Sequence, residues 1–220
     1  MGIPLYLAMT VDELERCPRL PEQLGWMACH FSPYGRGLTD LPEALPPGSL
    51  LLCDDRIPIL HHDAALVAVQ LAQLAKTLRC RAIVLDFQQP ESAQGARIAE
   101  AVSEAAECPV VLPPAYAHCG TGPVLLPPPR LWDPISRVAE AWKGRTLWME
   151  WVIQAAEVTV TETESRYTSL EQPPEPGKQD RTDPVLCCRY RTELAGDRAA
   201  FLLWDAVQTL EKKRRAAEKA

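Results

Sequence analysis

Residues 81–90 read RAIVLDFQQP, an apolar run that ends in Asp86 and Gln88 before Pro90 closes it. The run has the length and β-branched content of a buried strand. Strand side chains repeat every second residue, so Asp86 and Gln88 share a face and can enter one site. Helical patterns flank it on both sides. Upstream, Asp63 caps a helix whose Leu66, Val67, Val69, Leu71, Leu74 and Leu78 mark a broad buried stripe. Downstream, Ser92 caps a helix reaching about Glu107, with Ile98, Val102 and Ala105 at helical spacing.

The same alternation extends outward in both directions. Residues 4–9 (PLYLAM) form a first strand, and Thr10 with Glu13 makes a capping box for a short helix. Residues 25–31 (GWMACHF) are a second strand, and 49–53 (SLLLC) a third that terminates in Asp54, Asp55 and Arg56. Beyond the central strand come 109–112 and 123–126, separated by PAYAHCGTG, a loop without room for a helix. Asp133 followed by Pro134 starts a helix to about Lys143, and 146–152 (TLWMEWV) is a seventh strand. Residues 156–195 then alternate in a β-like way around QPPEPGKQDRTDP, which reads as a polar, mobile loop. After a short AGD turn, FLLW is counted as an eighth strand. A last helix over 206–219 faces Val207 and Leu210 inward and leaves a basic tail in solvent.

Strands alternating with helices from the N-terminus predict a parallel sheet with right-handed crossovers. The expected fold is α/β: an irregular (β/α)8 TIM-like barrel with some helices missing. It is one domain over 1–220, with 156–195 as a small antiparallel β insertion after strand seven. An open doubly wound sheet is the alternative, but no Gly-rich turn follows the first strand to hold a phosphate.

Composition narrows the function classes. At 220 residues the chain can bury roughly 70% of the surface it exposes when unfolded. A net charge of −6 offers a nucleic-acid backbone nothing to bind. The N-terminus lacks a basic region followed by an apolar core, and no apolar run reaches the ~20 residues that cross a bilayer. A cytoplasmic protein without membrane association is expected. The eight cysteines fall mostly in or beside apolar strands, where a free thiol behaves as a small hydrophobe, and no CxxC pair suggests zinc.

The central strand resembles the strand-four signature of family 18 glycoside hydrolases, the chitinase-like barrels, D-G-x-D-x-D-x-E. Arg81 and Val84 stand in place of the first two acids, Asp86 matches the third, and Gln88 occupies the position of the catalytic Glu. FLLWD resembles that family's eighth strand, with Trp204 matching the Trp that floors a sugar subsite. Family members also often carry an α+β insertion after strand seven. The resemblance implies the barrel fold and a carbohydrate ligand. In that family the Glu protonates the leaving oxygen while the substrate's acetamido group attacks and the neighbouring Asp orients it. A carboxamide cannot act as a general acid near neutral pH, so Gln88 removes that mechanism.

In a barrel the site is built at the C-terminal ends of strands. Asp54, Asp86 and Glu150 are the candidate catalytic residues, since Asp54 and Asp86 on neighbouring strands can share a proton. His30, Asp55, Gln88, Tyr116 and Trp204 are candidate ligand-binding residues. Tyr34 and Trp132 are further aromatics able to stack on a sugar. No cofactor is implied. The expected partner is a small molecule or glycan, with oligomeric state left open. Two other readings stand beside this one. His30, His61, His62 and His118 could join the rim aspartates in a metal-dependent hydrolase, though no HxH or HExxH spacing fixes two ligands. A non-catalytic assembly protein would instead show an occluded rim and an apolar patch on the insertion.

Overall fold

The computed structural model describes residues 4–219. The chain divides into two compact units: Pro4–Leu126 with Arg145–Trp148, and Pro127–Gly144 with the chain from Met149 onward. No helix among the described residues is long and apolar enough to cross a membrane.

The first unit is built on β1 (Leu7–Met9), α1 (Val11–Arg16), β2 (Leu24–Phe31), β3 (Leu38–Thr39), β4 (Leu50–Asp54), α2 (Ala64–Thr77), β5 (Ala82–Asp86), α3 (Ala93–Ala105), β6 (Val110–Val111) and β7 (Val124–Leu126). Strands β1, β2, β4, β5 and β6 pair in that order, each neighbour parallel, and the short β3 folds back on β2. A parallel bridge from Leu112 to Val124 carries the succession to β7, which pairs with β8 (Leu147–Met149).

Both faces of these strands are apolar, as a parallel sheet requires. On one face Cys29, Phe31, Leu51, Cys53, Ile83, Leu85 and Phe87 pack on Val67 and Leu71 of α2 and Ile98 and Val102 of α3. On the other, Leu50, Ala82, Val84 and Val111 meet Tyr6, Leu52, Leu125 and Trp148. Tyr6 and Trp148 stack with ring centroids 6.0 Å apart and planes 12° off parallel. That contact curls the strand succession so that its two ends approach.

Local signals place the elements as read. Thr10 and Glu13 form the reciprocal capping box of α1, Asp63 accepts from the backbone N–H groups of Ala65 and Leu66, and the Ser92 hydroxyl accepts from Gly95. All eight cysteines are free thiols. Burial pushes the Cys29 thiol up to about 12 and that of Cys53 well above its ordinary value, so both serve as apolar filler. The segment read as a loop contains a 3-10 helix, Pro114–Cys119. It is held by Arg145, whose guanidinium donates to the carbonyls of Ala117, Gly120 and Gly122. At Gly122 a Cβ would lie 2.0 Å from the Val110 carbonyl oxygen, so only glycine fits that close approach.

The second unit holds α4 (Ile135–Glu140), a five-stranded sheet of β9 (Ala155–Val160), β10 (Ser165–Ser169), β11 (Arg181–Asp183), β12 (Cys188–Ala195) and β13 (Arg198–Trp204), and α5 (Val207–Ala217). The sheet order is β10-β9-β13-β12-β11, antiparallel throughout. Its core is Leu131, Ala156, Val158, Cys188 and Leu203, flanked by Trp132, Tyr167 and Phe201.

Four expectations are corrected here. FLLW does not become an eighth barrel strand: β13 pairs antiparallel with β9 and β12, Leu203 lying opposite Ala156 and Tyr190. The reason is the two-residue Gly196–Asp197 connection, opened by Gly196 at φ +61; a link that short joins only antiparallel neighbours. Among the described residues the parallel strands form a curled succession, and no ladder joins β1 to β8. Asp133 does not cap α4; its carboxylate accepts from the Arg130 Nε at 2.9 Å, and the helix starts from Pro134 without a side-chain cap. In α5 Val207 is 80% exposed, and the inward residues are Thr209 and Lys213. Finally, the loop read as mobile is ordered around Asp180, which accepts from the Gly177 N–H and from Arg191.

Candidate functional site

The C-terminal ends of β2, β4 and β5 bring His30, Asp54 and Asp86 into one row. His30 is the register partner of Asp54, and Asp54 of Asp86. Leu50 and Leu52 lead to Asp54 on the same face, as Ala82 and Val84 lead to Asp86. His30 joins them because β2 carries a bulge: the register shifts between Met27 and Cys29, so that Cys29 pairs with Cys53 and His30 with Asp54. Without the extra residue His30 would fall opposite position 55 and face the helices. Bulges re-aim side chains in this way beside functional sites.

Asp54 is the hub. Its Oδ1 lies 2.9 Å from His30 Nδ1 and accepts from the Arg56 N–H at 3.2 Å, while Oδ2 accepts from Arg56 Nε at 2.8 Å. An ionised carboxylate only accepts, so Nδ1 carries the ring proton and donates it to Asp54, leaving the lone pair on Nε2. Arg56 Nη2 lies 3.0 Å from Nε2 and 3.3 Å from Nδ1, within hydrogen-bond distance of the ring nitrogens. The Asp54 side chain is 11% exposed, that of His30 19%, and that of Arg56 60%.

Asp86 and Gln88 do share a face. The Gln88 Nε2 amide donates to Asp86 Oδ1 at 3.2 Å and Oδ2 at 3.3 Å. Burial raises the Asp86 pKa above the usual carboxylate value; the Gln88 hydrogen bond works against this, and Asp54 and Asp55 add to it. Asp55 faces the other way and is 2% exposed, accepting from the backbone N–H groups of Gln88 at 2.8 Å and Gln89 at 2.9 Å. It does not offer its oxygens to a ligand; it fixes the backbone that carries Gln88.

The raised value at Asp86 has a consequence for stability. Ionised Asp86 costs folding free energy above its folded-state pKa, and the penalty vanishes once pH falls below the unfolded value. Asp86→Asn is therefore expected to raise the melting temperature at pH 7, with the gain shrinking as pH falls toward 4. Calorimetry across that range checks it; an unchanged or widening gap at low pH contradicts the assignment.

The remaining residues stand apart from this row. Tyr116 is 2% exposed, packed edge-on to Phe87 at 5.6 Å, with its hydroxyl accepting from the Ser92 N–H, so it is a core residue and not a sugar platform. Tyr34 is 99% exposed. Glu150, Trp132 and Trp204 belong to the second unit. Glu150 is half-buried after β8. Trp132 packs on Tyr167 with Arg130 over its ring, and Trp204 is buried, with Arg189 and Arg191 each 5.9 Å from its ring centroid.

The histidines do not converge. His62 is buried against Phe31 and donates from Nε2 to the Ser32 carbonyl, whereas His61 and His118 are exposed. Among the described residues no three His, Cys, Asp or Glu side chains are placed to hold a metal ion. Arg56 is a site residue that the sequence does not single out; its only signal is its place two residues after Asp54.

No known sequence family and no curated protein sequence matches the chain. Solved structures do. The Bacillus cereus spore cortex-lytic enzyme SleL aligns at a TM-score of 0.53 and 11% identity, over 90% of this chain and 61% of that one. The Bacillus megaterium QM B1551 enzyme of the same name gives 0.54 and 11%, over 97% and 67%. A Bacillus subtilis protein described as a sporulation-specific glycosylase, ydhD, gives 0.55 and 9%, over 89% and 88%. The chain thus spans about three fifths of the first of these. At such identities the likeness is one of fold: an α/β architecture of the kind found in glycosylase structures.

Proposed function

We propose that this protein binds an N-acetylglucosamine-containing glycan at the rim of β2, β4 and β5, without the substrate-assisted hydrolysis of family 18. The observation that carries the reading is the Asp86–Gln88 pair. The two share one face at a strand end, with the amide bound to the carboxylate, and by the sequence resemblance they correspond to that family's Asp and Glu. The glycosylase-like fold of the structural neighbours supports it, and the departure at Gln88 argues against the family's own chemistry. Asp86 and Gln88 then supply an acceptor and a donor for sugar hydroxyl or acetamido groups, with Asp54, His30 and Arg56 beside them.

The test is the melting temperature with and without N-acetylglucosamine oligomers. Saturation at 100 times the dissociation constant adds about 2.7 kcal/mol. For a chain of this size that is a rise of about 5–10 °C. Asp86→Ala is expected to remove the rise. A flat melting temperature in the native protein removes the glycan, leaving the fold.

A further inference from the structure

We infer that Asp55 and Tyr116 are positioning residues of the rim: two buried side chains hold the backbone between β5 and α3 in its ligand-binding form. This rests on the glycan reading above and goes beyond it, since it makes affinity depend on residues that no ligand reaches.

The segment joining β5 to α3 has an exposed side and a held one. The side chains of Gln88, Gln89, Pro90 and Glu91 are exposed, whereas the backbone is fastened at both ends. At the β5 end each Asp55 oxygen takes one N–H, Oδ1 from Gln88 at 2.8 Å and Oδ2 from Gln89 at 2.9 Å. Pro90 follows, its φ fixed by the ring and the residue before it biased toward extended backbone. At the α3 end the Ser92 N–H donates to the Tyr116 hydroxyl at 3.0 Å, while the Ser92 hydroxyl caps the helix through Gly95. Asp55 and Tyr116 are each 2% exposed, so water does not compete for either contact.

Both clamps are themselves fixed. Asp55 directly follows the last residue of β4. Tyr116 packs on Phe87, which lies 5.7 Å from Phe31, and the 3-10 segment that carries Tyr116 is tied down by Arg145. The Gln88 amide therefore reaches Asp86 from a backbone that is already ordered, and a ligand does not bear the entropy of ordering it. When a clamp is loosened, the apparent affinity falls by the fraction of molecules that keep the binding form. Asp55→Asn keeps one acceptor and turns an NH2 group toward the other N–H, donor against donor. Tyr116→Phe keeps the ring and removes only the acceptor of Ser92.

The experiment titrates N-acetylglucosamine oligomers into the full chain in a calorimeter. Asp55→Asn is expected to weaken binding about 10-fold, and Tyr116→Phe, the milder change, about 2- to 10-fold. Where Asp55→Asn does not fold, Tyr116→Phe still decides. Made in a Gln88→Ala chain, which keeps Asp86 for the ligand, either change is expected to add little further loss, because the side chain it positions is gone. A residue with a structural role alone lowers the melting temperature and leaves the dissociation constant of the folded chain as it was. That result in either variant overturns the inference, as do fully additive losses in the Gln88→Ala chain, and in both cases the glycan reading stands. Oligomers that do not bind the native protein overturn both.

Discussion

Replacing Gln88 by Glu is expected to bring about retaining hydrolysis of N-acetylglucosamine oligomers. The amide Nε2 lies 3.2–3.3 Å from both Asp86 oxygens, so a glutamate in the same rotamer sets two carboxyls within one hydrogen bond of each other. Like charges that close disfavour double ionisation, and burial already raises Asp86, so both effects favour a proton held on the pair. That proton on residue 88 is the general acid that glutamine cannot supply. A positioned acid is worth about 10²- to 10⁴-fold in rate. Asp86 would then orient the acetamido group, as the family 18 resemblance implies, and the first product would be the β-anomer. Its appearance, with a rate that falls as alkali removes the shared proton, checks the prediction. Oligomer binding without a rate gain would show that the rim lacks the productive pose.

The strands that position this pair were legible because every local signal agreed. In β4, α2, β5 and α3 the apolar pattern, the Asp63 and Ser92 caps and the strand-end acids all point the same way, and the structure follows them within a residue or two. The shared face of Asp86 and Gln88 followed from alternation alone. His30 could be placed at a strand end but not on that face, because the bulge between Met27 and Cys29 leaves no mark in an apolar strand. Arg56 reads as a surface arginine until Asp54 and His30 are seen beneath it.

Where two signals compete, turn chemistry and packing outweigh a short motif. FLLW matched a family strand, yet the Ala195-Gly196-Asp197 turn before it dictated an antiparallel hairpin. Tyr116 sits in a Gly- and Pro-rich stretch that resembles a surface loop, but its ring fills the space over Gly95, where a Cβ would come within 2.4 Å of its hydroxyl. Short-range turn chemistry and long-range packing decided these two cases, and a motif of five residues carries neither.

The last helix shows the same gap in a form that can be measured, and Lys213→Ala is expected to cost about 3–5 kcal/mol. Read as part of a basic solvent tail, Lys213 is buried, and its Nζ lies 2.6 Å from Asp205 Oδ1 with side-chain exposures of 8% and 0%. Asp205 is locked in place from elsewhere: its Oδ2 accepts from the Gln154 N–H, and its own N–H donates to the Gln154 carbonyl. The helix is held to the same spot by Thr209, whose hydroxyl accepts from the Ala206 N–H and donates to the Ala206 carbonyl. Removing the ammonium therefore leaves a buried carboxylate held in place by its contacts with Gln154. Replacing the pair together, as Lys213→Met with Asp205→Asn, removes both charges and is expected to restore most of the loss, because the pair's attraction is largely offset by its desolvation. Urea unfolding of Lys213→Met, of Asp205→Asn and of the double variant measures the coupling. Additive losses would mean that the two groups do not act as a pair, and that α5 is held by its apolar contacts alone.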